Sequence, residues 1–526
     1  MSSDSDSGWR AGFKTDYQAI FVEEWSPFVG AMLLVLTIIG LMLSGLVWGV
    51  FGGVKFWGDW FNNLIGLGPV LGLPQELDGF LMHRMSLMNI MLVVGAFSAA
   101  LLSRQFSPNR PPPLEYVWAA AGGSLLGIGA ALAGGCTTGG FFNPVLHSSP
   151  AGWAMWLGLL AGAAIGLKLL LWTLDNIEWG MQAPPAIDIP DAVRGKFPLL
   201  GLVVVVGAFS AALLSRQFSP NRPPPLEYLW AAAGGSLLGI GAALAGGCTT
   251  GGFFNPVLHS SPAGWATWAG LLAGAAIGLK LLLWTLDHIE WGMQAPPALD
   301  IPEGVRHNFP WLGLAIIIGV LFWATQWYGS SDEKLVARAV IVIAGFAIGF
   351  IMHRSRLCFA RAFREPFMTA EGDMTKAVIL ALAIGIPIAA LLFEKKVLDP
   401  YLAIPPAFWI GSLVGGLIFG IGMVFAGGCA SGSLWRMGEG HLKLWVTMFF
   451  FSWMGSIASA VFKKLNLTAI DETNVETYEM TRVGFQAYLP EMWGSWGWTL
   501  AVGGALLLLW YALVRYNEST EKFTLL

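Results

Sequence analysis

The sequence predicts an all-α integral membrane protein, and three observations predict it. Of 526 residues, 55% are hydrophobic and only 12% are charged, where a soluble domain carries about a quarter charged. Mean hydropathy is +0.63. The apolar residues fall in blocks near the roughly 20 residues that cross a bilayer. These blocks run from Pro27–Phe51 to Trp496–Tyr516. Residues 1–526 therefore read as a single membrane domain of about 13 transmembrane or re-entrant helices. The bilayer is the first partner this implies. The net charge of −4 gives no reason to expect nucleic acid. The N-terminus lacks the basic region and short apolar run of a signal peptide, so the first helix is expected to serve as an uncleaved insertion signal.

In chain order, residues 1–92 hold the N-terminal helices and an MHR motif, with Lys55–Leu73 a weaker candidate for a re-entrant segment. Residues 93–204 and 205–316 are two copies of one module of about three helices. Val93–Leu202 recurs as Val205–Leu314 with about ten substitutions, so Cys136 maps to Cys248 and His147 to His259. A repeat this long and this nearly identical reads as a recent tandem duplication or an assembly error. The junction helix Pro198–Leu214 fuses two unrelated helices. An odd number of spans per copy would invert everything after the first copy, unless one segment re-enters or stays out of the membrane. Residues 317–526 form the C-terminal half.

A second repeat lies beneath the first. FLMHRMSLMN at Phe80–Asn89 matches FIMHRSRLCF at Phe350–Phe359. GSLLGIGAALAGGCTTGG at Gly123–Gly140 matches GGLIFGIGMVFAGGCASGS at Gly415–Ser433. The same order in both parts predicts two pseudo-symmetric halves around a midplane site, a common transporter plan. Gly122–Gly123 and Gly415–Gly416 read as close-packing positions between helices.

There are four cysteines, and each falls in a motif. Three follow Gly-Gly at the end of an apolar helix: Cys136 after Gly134 and Gly135, Cys248 after Gly246 and Gly247, and Cys429 after Gly427 and Gly428. A glycine pair can take positive φ and turn the chain sharply. The following Thr137, Thr249 or Ser431 offers a hydroxyl, and free backbone N–H groups complete an anion cradle. A thiol is soft and polarizable, which suits a sulfur-bearing anion better than sulfate or phosphate. The fourth cysteine, Cys358, sits among Arg354, Arg356, Arg361 and Arg364. Positive charge there would attract anions and activate the thiol. The matching first-half position is Met88.

GGCTTGG, GGCASGS and RLCFARAFRE in this order resemble the YeeE/YedE family of sulfur-transport membrane proteins. The resemblance runs from about Phe80 to Phe462. It implies a multi-pass bacterial inner-membrane protein with hourglass-type inward loops. It implies thiosulfate passing from thiol to thiol without covalent chemistry, at Cys136 or Cys248, Cys358 and Cys429. It also implies a cytosolic TusA-like sulfur-carrier protein as partner, beside the small sulfur anion itself. The 112-residue duplication and Met88 depart from the family pattern.

Blander readings stand beside these. A cysteine in a membrane helix is commonly a small packing residue, and the arginines after Met352 fit a positive-inside loop equally well. His147 and His259 read as locally bonded loop residues. No metal-ligand spacing, nucleotide loop or catalytic triad is visible, so neither an enzyme nor a cofactor is expected. The alternatives to a transporter are a thiol/disulfide oxidoreductase and a non-transporting membrane partner of sulfur or selenium metabolism. The first would need two cysteines close enough to pair.

Overall fold

The structure is a computed structural model. It describes residues 17–103, 105–106, 113–133, 135, 137, 141, 149–176, 265–274, 303–397, 399–470 and 480–522. Cys136, Cys248, Gly134, Gly246, Gly247, Thr249, His147, His259 and the junction helix lie outside the described residues.

The helices, in chain order, are α1 (Pro27–Leu43), α2 (Phe51–Leu64), α3 (Arg84–Leu102), α4 (Pro113–Leu132), α5 (Ala151–Asn176), α6 (Glu303–Tyr328), α7 (Glu333–Arg354), α8 (Phe359–Met368), α9 (Asp373–Glu394), α10 (Ile410–Ala426), α11 (Ala430–Glu439), α12 (Leu442–Lys464) and α13 (Trp496–Thr520). Among the described residues, seven stretches are long and apolar enough to cross a bilayer, and two shorter apolar helices cover Pro27–Leu43 and Ala151–Ala163. Local sequence sets the boundaries. The hydroxyl of Ser26 accepts from Phe28 N ahead of α1, and Asp332 accepts from Lys334 N ahead of α7. Gly427, at φ +75°, ends α10.

Two reciprocal seams organise the helices. The first GGC helix, α4, lies along α12, and the second, α10, lies along α5. Each GGC helix thus packs on the helix that follows the other GGC turn. Glycines make both seams close. A Cβ on Gly123 would fall 1.8 Å from Thr447 O, and one on Gly416 would fall 2.1 Å from Met155 O. Backbones in such contact gain dispersion energy, the main force between helices in lipid. Trp118 of α4 stacks on Phe425 of α10 at 4.3 Å and joins the seams.

The stretch Lys55–Leu73 contributes the amphipathic helix α2. Its polar face turns inward onto α12. Asp59 pairs with Lys55 at 2.7 Å and accepts from Ser456 Oγ at 2.5 Å. Asn62 donates to Ser456 and accepts from Trp453 Nε1. Interhelical hydrogen bonds in membranes average about 0.6 kcal/mol, so this satisfied network fixes the rotation of α2 more than it stabilises the fold.

Candidate functional site

The chain between α7 and α8 brings Cys358 to the centre of the bundle. α7 ends at Arg354, and Arg356 turns the backbone at φ +53°. A non-glycine residue held there costs roughly 1–3 kcal/mol and persists only where its surroundings hold it. The surroundings are specific. Arg356 Nη1 donates to the Glu439 carboxylate, Nε donates to Glu24 at 2.9 Å and Nη2 donates to Gln105 Oε1 at 3.1 Å. Arg354 donates to the same Gln105 oxygen at 3.0 Å and to the carbonyl of Glu23. Fully buried His353 lies 3.6 Å from Glu439, and His441 contacts the other carboxylate oxygen at 3.1 Å. Trp435 Nε1 donates to Leu357 O at 3.0 Å, one residue before the thiol.

Cys429 arrives from the other side. Past Gly427 and Gly428 it caps α11, and its Sγ accepts from Gly432 N at 3.2 Å. Ser431 Oγ is 3.5 Å from the same sulfur. Both side chains are buried thiols, with Sγ atoms 4.0 Å apart. That is sulfur–sulfur contact, well outside the ~2.05 Å of a disulfide. Cys358 in turn opens α8, so two short buried helices point their N-terminal, electropositive ends at the pair.

Gly432 makes the pair possible. A Cβ there would lie 2.6 Å from Cys358 Sγ and 3.1 Å from Cys429 Sγ. Glu439, at the far end of the helix capped by Cys429, is the shared anchor of the Cys358 segment. α8 is fastened from behind. Thr375 Oγ1 donates to Ala362 O at 2.5 Å, and Asn517 donates to Pro366 O at 2.5 Å. Phe363 stacks on Trp510 and meets Phe141 at 6.3 Å, just beyond the first copy's GGCTTGG loop.

The structure thus joins Cys358, Cys429, Gly427, Gly428 and Ser431 in one place. Thr137 is buried, and Gly135 N donates to Ala130 O as α4 closes. Three of the four arginines beside Cys358 have internal partners. Arg354 and Arg356 bind the Glu439, Gln105 and Glu23–Glu24 group, while Arg361 is paired with Glu365 four residues on. Gly432 and Ser433 belong to the stretch after Cys429 whose hydroxyls and free N–H groups the sequence pointed to. Arg436 and Glu439 escaped the reading of the sequence. Glu439 and Arg436 carried no local signal. No group of acidic, histidine or cysteine side chains suited to a metal occurs among the described residues.

The profile of the family described as sulphur transport matches residues 6–165, 177–277 and 354–525. A probable transporter YedE of Escherichia coli is 30% identical over 311 residues, covering 55% of this chain and 75% of the relative. YedE of Salmonella typhimurium is 27% identical over 320 residues, 56% of this chain and 77% of the relative. The thiosulfate transporter TsuA of Spirochaeta thermophila is 33% identical over 118 residues, 22% of this chain and 35% of the relative. No solved structure matches. With its membrane-spanning helices and its profile match over most of its length, this chain belongs to the sulphur transport, or YeeE/YedE, family and is a multi-pass protein of the bacterial inner membrane.

Proposed function

We propose that this protein takes up thiosulfate or a related small sulfur-containing anion, passed between cysteine thiols without a covalent intermediate. The buried contact of Cys358 with Cys429 carries the reading. Two polarizable S–H groups side by side, with two helix N-termini aimed at them, can hold a soft anion and release it. A covalent relay would instead transfer the sulfane sulfur to a thiolate and release sulfite, so the intact anion would not cross. Family membership supports a sulfur anion as cargo, and the names of the TsuA relatives favour thiosulfate among such anions. Cys136 of the first copy is the preferred third station, because Phe141 of that copy reaches Phe363 of the Cys358 helix. Cys248, its copy in the repeat, is the alternative third station. A TusA-like carrier receiving sulfur on the cytosolic side completes the proposal.

Uptake of labelled thiosulfate into proteoliposomes tests it. Wild type should transport, and Cys429→Ser and Cys358→Ser should each lose most of the flux while keeping the wild-type elution profile. Full activity in both variants would sink the relay.

One observation favours a second reading. Thiols 4.0 Å apart need only a small shift to form a disulfide. An oxidoreductase would pass two electrons and two protons from the pair to a quinone, leaving a disulfide. Thiol labelling before and after quinone addition separates the two. A reversible Cys358–Cys429 disulfide formed at a rate matching turnover favours the oxidoreductase, and flux with both thiols permanently reduced favours the transporter.

A further inference from the structure

The four arginines around Cys358 look alike in sequence, yet the structure divides them. Arg354, Arg356 and Arg361 each donate to a carboxylate, amide or carbonyl of the protein. Among the described residues, Arg364 donates to no protein group: its Nε is shielded from solvent and, like that of Arg354, has no hydrogen-bond partner, while the side chain as a whole is partly exposed. It stands on α8 two turns beyond Cys358. The charges acting on it are Glu365, Arg436 and Arg361, together with the Cys358 thiol. Glu365 is already paired with Arg361. Arg436, on the helix capped by Cys429, donates to Gly427 O at 3.1 Å and lies over the Trp435 ring, and it acts on Cys358 as well. Both guanidinium groups thus interact electrostatically with the Cys358 thiol. A second donor nearby is also uncommitted. Ser433 Oγ, one turn along α11 from Cys429, is fully buried without a partner.

A buried donor without a partner costs roughly as much as a lost hydrogen bond, and more when it is charged. Such a group persists where a ligand supplies the missing acceptor. We infer that Arg364 is the anion-selecting residue of this site: its guanidinium binds the oxygen end of a doubly charged oxyanion while the thiols hold the sulfur end, with Ser433 as an additional donor. This rests on the transport reading above and deepens it, since thiols alone do not discriminate an anion from a neutral sulfur compound. A planar guanidinium suits paired oxyanion oxygens, whereas an ammonium acts as a point charge.

The test is the concentration dependence of thiosulfate uptake in proteoliposomes for wild type, Arg364→Gln, Arg364→Lys, Ser433→Ala and the exposed control Arg515→Gln. Expected are a KM raised about tenfold or more in R364Q with a smaller fall in maximal rate, partial recovery in R364K, a smaller KM increase in S433A, and no change in R515Q. An unchanged KM in R364Q overturns the assignment. Should R364Q fail to elute as folded protein, R364K decides, because it keeps the charge and loses the fork, so a wild-type KM there overturns it equally. If wild type itself moves no thiosulfate, the transport reading fails instead, a result distinct from either.

Discussion

The two MHR segments share a sequence and do opposite things. In the first half, His83 precedes a helix: its Nδ1 accepts from Ser86 N at 3.2 Å and α3 begins at Arg84. In the second half, His353 and Arg354 finish α7, and the chain breaks after them. The helices lie side by side in the same direction, Met88 against Gly345 and Leu92 against Gly349. The motifs therefore stand at opposite ends of one helix pair. At the first, the position matching the thiol is Met88, buried mid-face as packing. At the second it is Cys358, freed by the turn at Arg356 and placed on Cys429. The motif marks a helix end, and the conformation of the next few residues decides between packing and chemistry.

That contrast can be broken most severely at Gly432. Gly432→Ala forces a methyl into both sulfurs, so the thiol pair should separate and uptake fall by about two orders of magnitude. Bifunctional thiol cross-linking of Cys358 to Cys429 checks it, and wild-type cross-linking in the variant refutes it. Next is Glu439→Gln, which removes the charge that Arg356, His353 and His441 share. Removing one partner of a buried ion pair costs roughly 3–5 kcal/mol. A loss of thermal stability of that size, together with exposure of Cys358 to maleimide, is expected. Met88→Cys sharpens the comparison from the other side. A thiol in the packed position should leave uptake within about twofold of wild type, measured in the same liposomes; rescue of Cys358→Ser by Met88→Cys would contradict it.

The smallest effect is expected at His83. It stacks on Phe56 at 4.1 Å, and burial, opposed by Asp78, holds its pKa below 6.5. The unfolded chain then binds the proton more readily than the folded one. The stability deficit is absent above pH 6.5 and grows as pH falls through 6.5 toward the lowered folded value. His83→Asn keeps a capping acceptor and removes the titration. Melting temperature between pH 7.5 and 5.5 should fall less steeply in the variant.

Much of this was legible in the chain. The membrane class came from hydropathy, and the glycine turn before Cys429 came from the need for positive φ at Gly427. Its position on a helix N-terminus came from the hydroxyl-rich residues after it. Pairing of Cys358 with Cys429 was legible only as a family resemblance, since 71 residues separate them. The arginine cluster was legible, but not the division of labour within it. Charge density in sequence does not show which guanidinium groups already have partners, and those partners, Glu23, Glu24, Gln105 and Glu439, come from distant segments. Glu439 gave no signal because its role exists only once α7 and α11 meet.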